Sequence, residues 1–253
     1  MKDQETKPKR RRGIYLLPNL FTTGCLFAGY YAVVSAINGQ FEAAAVAIFI
    51  AMILDGLDGR VARLTNTETE FGMQYDSLAD MISFGVAPAL VIYLWSLQYL
   101  GKLGWLASFL YVAGAALRLA RFNTQVEVVD KRFFQGLPSP SAAAMVAGFV
   151  WIGVEYGFDP QGIGLVALLI SVLGGVMMVS NFRYYSFKGL DIKGKVPFVA
   201  ILLVVLAFVF VSIDPAKVLF FIFIVYALSG PVLTLVGLRQ RREERRNSPD
   251  SED

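Results

Sequence analysis

Apolar residues gather into eight long runs along the chain, at about 15–37, 41–64, 75–98, 103–122, 139–156, 162–180, 196–213 and 217–238. Crossing a hydrocarbon core about 30 Å thick takes roughly 20 such residues in helical form. The runs approach that length and most connections between them are short. The pattern therefore predicts an all-α polytopic membrane protein with eight transmembrane helices. Composition agrees, because 253 residues that are 56% hydrophobic and 17% charged offer too little polar surface for a soluble domain. No internal repeat or second domain interrupts the series.

Charge orients these runs. With the N-terminus inside, the cytoplasmic segments hold Lys7, Lys9, Arg10, Arg11, Arg12, Arg60, Arg63 and the stretches Arg118 to Arg132, Arg183 to Lys195 and Arg239 to Arg246. Only Lys102 and Lys217 fall outside, which is the asymmetry of cytoplasmic flanks. Both termini are then cytoplasmic, and a bacterial inner membrane is the expected location. The chain divides into a basic segment 1–14, a transmembrane domain 15–238 and a charged tail 239–253 whose Ser and Pro content predicts disorder. The first run is too long for a cleaved signal peptide. The single cysteine, Cys25, has no partner for an internal disulfide and reads as a small packing residue. The basic residues flank spans, so no nucleic-acid partner is expected.

Nearly all twenty acidic residues fall in loops, tails or span ends, but Asp55, Asp58, Asp76 and Asp80 lie within the second and third runs. One aspartate at the centre of a spanning helix costs roughly 2.5–3.5 kcal/mol on insertion scales, less toward the interface. Asp55 and Asp58 are three residues apart with Gly59 and Ala62 on the same face, and Asp76 and Asp80 are four apart with Gly72 one turn earlier. The short polar link Leu64 to Phe71 makes the two helices antiparallel neighbours, so the acidic faces can converge. Four carboxylates suit one or two hard divalent cations, Mg²⁺ or Mn²⁺. Two other readings compete: pairing with Arg60 and Arg63 as a structural tie, and a cation or proton pathway through the membrane.

The segment 55–80 reads DGLDGRVARLTNTETEFGMQYDSLAD and fits D-x-x-D-G-x-x-A-R-x8-G-x3-D-x3-D through Asp55, Asp58, Gly59, Ala62, Arg63, Gly72, Asp76 and Asp80. In this the chain resembles the CDP-alcohol phosphatidyltransferases. The resemblance implies a six-helix core, a two-metal centre at its cytoplasmic end, a CDP-diacylglycerol donor and a homodimer. It also implies that Asp55 and Asp76 bridge both ions, that Asp58 binds one, and that Asp80 binds the other and acts as the base. A metal-bound carboxylate is a poor base, so Asp80 orienting the acceptor hydroxyl is the alternative. On the lipid-nucleotide side the resemblance implies Gly59, Ala62 and Gly72 as places of close approach, Arg63 on phosphate and Thr69 as a hydroxyl contact. Pro18, Asn19 and Thr22 resemble the Pro-Asn-x-x-Thr element beside the nucleotide.

Over most of its length the chain also resembles the integral-membrane class of phosphatidylserine synthases, through SFGVAP (83–88), RLARFN (118–123), FQGLPSP (134–140) and YSFKGLDIKGKVP (185–197). That implies L-serine as acceptor, with glycerol 3-phosphate, inositol or choline as alternatives. Ser83, Arg118, Arg121 and Asn123 are the acceptor-side candidates, since a planar guanidinium fork suits a carboxylate or phosphate. Helix packing and a kink at Pro88 equally explain SFGVAP, positive-inside flanking explains the arginines, and FQGLPSP reads as a tight turn. GLDIKGKV (189–196) imitates a phosphate loop but has Val196 where a metal-binding hydroxyl is required. With no histidine in the chain, a phosphohistidine intermediate is excluded and direct displacement remains.

Overall fold

The computed structural model describes residues 16–65, 67–124, 133–185 and 198–247. The basic segment 1–14 and the GLDIKGKV segment (189–196) lie outside the described residues, as does the chain beyond 247. Helix α1 (Leu16–Ile37) leads to α2 (Phe41–Thr65), and α3 (Glu70–Asp80) runs through a π turn (Met81–Val86) into α4 (Ala87–Trp95). A short 3₁₀ turn (Leu97–Leu100) precedes α5 (Lys102–Thr124), followed by strand β1 (Phe133–Gln135), α6 (Ser139–Glu155), α7 (Gly164–Val179), β2 (Arg183–Tyr185), α8 (Phe198–Ile213) and α9 (Pro215–Asn247).

Among the described residues, four helical stretches are long and apolar enough to cross a membrane: Leu17–Ile37, Glu70–Trp95, Lys102–Thr124 and Pro215–Val236. The outward sides of the bundle are apolar too. Phe27 and Tyr30 on α1, Phe109 and Leu117 on α5 and Phe208, Phe210 and Ile213 on α8 are all exposed. Water would penalise such a continuous apolar surface, and lipid accepts it. The protein is an integral membrane protein.

Small residues bring the helices together. Ala28, Ala32 and Ala36 of α1 are buried, as are Ala44, Ala45, Ala47 and Ala51 of α2, and these two helices form an extensive interface. Gly114 of α5 meets Gly175 of α7 so closely that a Cβ on Gly114 would stand 2.9 Å from the Gly175 Cα. Dispersion between close backbones is what lipid leaves available to hold helices together. Helix α6 is central, with Ala142 through Val150 all buried, and packs on α2, α4, α7 and α9. Gly39 closes α1 with a left-handed residue (φ 75°), and the bonds Gln40 N–H to Ser35 O and Gly39 N–H to Ala36 O complete a Schellman cap.

Two prolines inside helices are handled alike. Pro88 has no N–H to return to the carbonyl of Phe84 four residues back, and the buried Tyr111 hydroxyl of α5 donates to that carbonyl at 3.1 Å. Pro231 stands in the same relation to Ala227, whose carbonyl accepts from the buried Tyr184 hydroxyl of β2 at 3.0 Å.

The structure adds features that hydropathy did not predict. Strands β1 and β2 pair antiparallel, Phe133 opposite Tyr185, and join the α5–α6 and α7–α8 connections into a ribbon at one end of the bundle. The segment expected as a tight turn thus begins as a strand and turns at Gly136 (φ 78°), whose N–H donates to Phe182 O. Helix α9 continues to Asn247, past the expected disordered tail boundary at 239. The reason is local: residues 239–246 are Arg, Gln and Glu, all strong helix formers.

Candidate active site

The aspartates lie on the C-terminal half of α2 (Asp55, Asp58) and of α3 (Asp76, Asp80). Thr69 caps α3, its hydroxyl accepting from Gly72 N–H at 3.0 Å. This cap starts the helix in polar sequence and brings Asp76 and Asp80 round to α2. Carboxylate oxygens of Asp55, Asp76 and Asp80 lie within 4.8 Å of one another. Asp80 Oδ1 is buried and has no hydrogen-bond partner among the described residues. A buried acceptor left unsatisfied costs about 1–3 kcal/mol, more when charged, unless a ligand completes it. Three converging carboxylate oxygens fit a hard divalent cation.

Asp58 stands apart from this trio. It is buried on α2 and turned to α1, where Thr22 Oγ1 donates to its Oδ2 at 2.8 Å. Asn19, one turn before Thr22, lies beside the α3 cap: a Cβ on Gly72 would be 3.5 Å from its Oδ1 and 3.1 Å from Thr69 Oγ1. The starts of α1 and α3 and the end of α2 therefore form one mouth. A Cβ on Gly59 would meet nothing within 4 Å, so the α2 surface there is open.

Directly after Asp80 the backbone leaves α geometry. The π turn Met81–Val86 widens the helix by one residue, as helices often do beside functional groups. Its Ser83 is fully buried and donates to the Cys25 carbonyl of α1 at 3.0 Å.

The opposite wall comes from α5 and the ribbon. Arg118 Nη1 donates to Ser139 Oγ at the start of α6 at 2.9 Å, while its buried Nε has no partner among the described residues. Arg121 Nη1 reaches the Val179 carbonyl at the end of α7 at 3.3 Å, and Asn123 pairs with Ser77 of α3 at 3.1 Å.

The family model for CDP-alcohol phosphatidyltransferase matches residues 15–179. The chain belongs to this family. It is 40% identical over 216 residues to the CDP-diacylglycerol–serine O-phosphatidyltransferase of Helicobacter pylori (strain ATCC 700392 / 26695), covering 85% of this chain and 90% of that one. A protein of that name from Mycobacterium leprae is 40% identical over 159 residues, covering 60% of this chain and 53% of its own length. The archaetidylserine synthase of Methanothermobacter thermautotrophicus is 34% identical over 184 residues, covering 72% and 75%.

Within this family frame, the expected site residues part into groups. Asp55, Asp76 and Asp80 come together, with Asn19, Gly72 and Thr69 beside the same mouth. Thr22 donates to Asp58, and Thr69 accepts one bond as the α3 cap. Arg63 is exposed and its Nε donates to Gly59 O at 2.8 Å, which places its charge over the open glycine; Ala62 is half-buried behind it. Ser83 is buried against α1, donating to the Cys25 carbonyl and packed on Gly29, so its hydroxyl is engaged between helices. Arg118 and Arg121 do not act as one fork either, because each is tied to a different helix end. Sequence reading missed Ser139, although it lies in the FQGLPSP segment.

Proposed function

We propose that the protein transfers a phosphatidyl group from CDP-diacylglycerol to L-serine, giving phosphatidylserine and CMP. Family membership supports the donor, and the names of the relatives support serine. The observation that carries the reading is the buried, unpartnered Asp80 Oδ1 within a carboxylate trio at one mouth of the bundle.

Asp55, Asp76 and Asp80, with Asp58 beside them, would hold Mg²⁺ or Mn²⁺, as a pair of ions. When bound, such ions neutralise the diphosphate and the departing CMP. The chain's own residues do the rest. The open surface at Gly59 admits the diphosphate, Arg63 supplies a guanidinium above it, and Asn19 and Thr69 line the nucleotide side. Asp80 Oδ1 accepts the serine hydroxyl's hydrogen bond and so aims its oxygen at the lipid-bearing phosphorus. That oxygen bonds to phosphorus as the bond to the bridging oxygen breaks, CMP leaves with the bridging oxygen, and the hydroxyl proton passes to the carboxylate. Arg118, Arg121 and Asn123 form the acceptor wall.

The site end of the bundle carries Arg60, Arg63, Arg118, Arg121 and Arg183, and the far end Lys102 and Lys217, which supports a cytoplasmic active site in an inner membrane. The family resemblance supports a homodimer, and residues 15–238 as the catalytic unit. The test is CMP release from CDP-diacylglycerol by detergent-purified protein with Mn²⁺ or Mg²⁺. Turnover is expected with L-serine; turnover with glycerol 3-phosphate or inositol and none with serine would refute the acceptor.

A further inference from the structure

Two buried polar atoms at the site end have no hydrogen-bond partner among the described residues, Asp80 Oδ1 and Arg118 Nε. They carry opposite charge, and since neither has a partner they do not bond each other. Asn123 of α5 bonds Ser77 before Asp80, and Tyr111 of α5 bonds the Phe84 carbonyl after it, so the two segments run antiparallel and bring Asp80 and Arg118 to the same level. Leaving both unsatisfied is costly unless something bridges them. A hydroxy amino acid has the complementary ends: a hydroxyl for the carboxylate and a carboxylate for the guanidinium N–H.

What fixes the guanidinium is Ser139. This serine is fully buried at the first turn of α6, and its Oγ accepts from Arg118 Nη1 at 2.9 Å. Its own position is set by the ribbon. Gly136 and Leu137, just before it, donate their N–H groups to Phe182 O and Met177 O, pinning the chain where β1 enters α6. A planar guanidinium held at one nitrogen has a set direction for its Nε–H. We propose that Ser139 is a positioning residue which presents the Arg118 Nε–H to the carboxylate of the acceptor, and thereby makes the enzyme select an α-amino acid over an acceptor without a carboxylate. The inference rests on the serine-transfer reading above and adds the residue that enforces it.

The experiment compares L-serine with ethanolamine, which is serine without its carboxylate, by CMP release from the full-length protein. The wild type is expected to prefer serine. Ser139→Ala should raise KM for serine about tenfold, leave KM for CDP-diacylglycerol within about twofold, and shrink the serine-to-ethanolamine ratio of kcat/KM by about tenfold. Ser139→Thr, which keeps the hydroxyl, should restore most of that ratio. An unchanged ratio in Ser139→Ala overturns the proposal, as does an equal loss with both acceptors and with CDP-diacylglycerol, which marks a packing role. Should Ser139→Ala not accumulate as folded protein, Ser139→Cys keeps the shape with a poorer acceptor and is judged by the same ratio. A wild type indifferent to the carboxylate refutes the acceptor reading itself, separately from any variant.

Discussion

Tyr111→Phe tests how the broken helix after Asp80 is held. The lost hydroxyl is fully buried and donates at 3.1 Å to the Phe84 carbonyl, which Pro88 cannot serve. Phenylalanine fills the same space less one oxygen, so the void is small and the main cost is a buried carbonyl deprived of its donor. That is about 1–3 kcal/mol. Unfolding free energy by SDS titration in mixed micelles measures it. Pro88→Ala supplies the missing N–H from within the helix, so in that background Tyr111→Phe should cost less, by about 1 kcal/mol or more. Phe84 lies one turn beyond Asp80, and CMP release should fall further in Tyr111→Phe alone than in the double variant. A cost below about 0.5 kcal/mol, or one equal in both backgrounds, would refute the reasoning, since surface-like changes reach that size.

Further outcomes follow from the site and its far end. Thr22→Val, isosteric but without the hydroxyl that Asp58 Oδ2 accepts from at 2.8 Å, should raise the half-activating Mn²⁺ concentration about tenfold, with Thr22→Ser close to wild type. Asp80→Asn should accumulate as folded protein and lose about 10²–10⁴ in turnover, read as CMP release in single-turnover assays. Gly29→Ala places a Cβ 2.7 Å from the Ser83 Cα, so α1 and the π turn must separate, and the unfolding free energy should drop by about 1–3 kcal/mol; Gly59→Ala, in open space, should fold normally and raise KM for CDP-diacylglycerol. At the far end, hydrogen bonds from Tyr156 and Lys217 hold the Asp214 carboxyl down at about 2, against an ordinary 3.8. The folded state thus binds fewer protons between those values, so its contribution is full above pH 4 and fades toward pH 2. Thermal midpoints from pH 5 to 2 should fall less steeply in Asp214→Asn than in wild type.

Helix positions were readable because a spanning helix must be apolar for most of its length, and the runs mark that length. Polar ends were not. Hydropathy starts the third run at residue 75, yet α3 starts at Glu70, because Thr69 caps it whatever the hydropathy of Glu70 to Gln74. Three-residue strands leave no periodicity, and only the paired aromatics Phe133, Phe134, Tyr184 and Tyr185 hinted at the ribbon. Asp55 and Asp58 are the subtler case. Three residues place them on one face but roughly 60° apart about the axis, against roughly 40° for Asp76 and Asp80. That difference lets Asp55 face α3 while Asp58 turns to Thr22 on α1. Spacing identified the acidic helices; only the third dimension divided the four carboxylates. Likewise Arg118 and Arg121 look like one fork in sequence, and the ends of two different helices separate them.

The site end is where this membrane protein departs from regular helix, and lipid makes each departure demand a specific donor or acceptor. Tyr111 answers Pro88 within the helix that carries Asp80, and Tyr184 answers Pro231 where the ribbon docks on α9. The second pairing reaches the chemistry as well. Tyr184 anchors β2 to α9, helped by the Arg183 N–H to Thr234 Oγ1 bond at 3.1 Å; β2 holds β1; and β1 leads directly into Ser139 and thence to Arg118. Helix α9 lies wholly beyond the 15–179 region that defines the family, yet by this route it bears on the acceptor wall. On the proposed reading, donor chemistry would rest on the α1 to α3 mouth that carries the family motif, and acceptor choice on a later support tied to it by hydrogen bonds. Tyr184→Phe is the discriminating change: it should erode selectivity for serine over ethanolamine while leaving KM for CDP-diacylglycerol near wild type, and equal damage to both would deny that the two halves are separately supported.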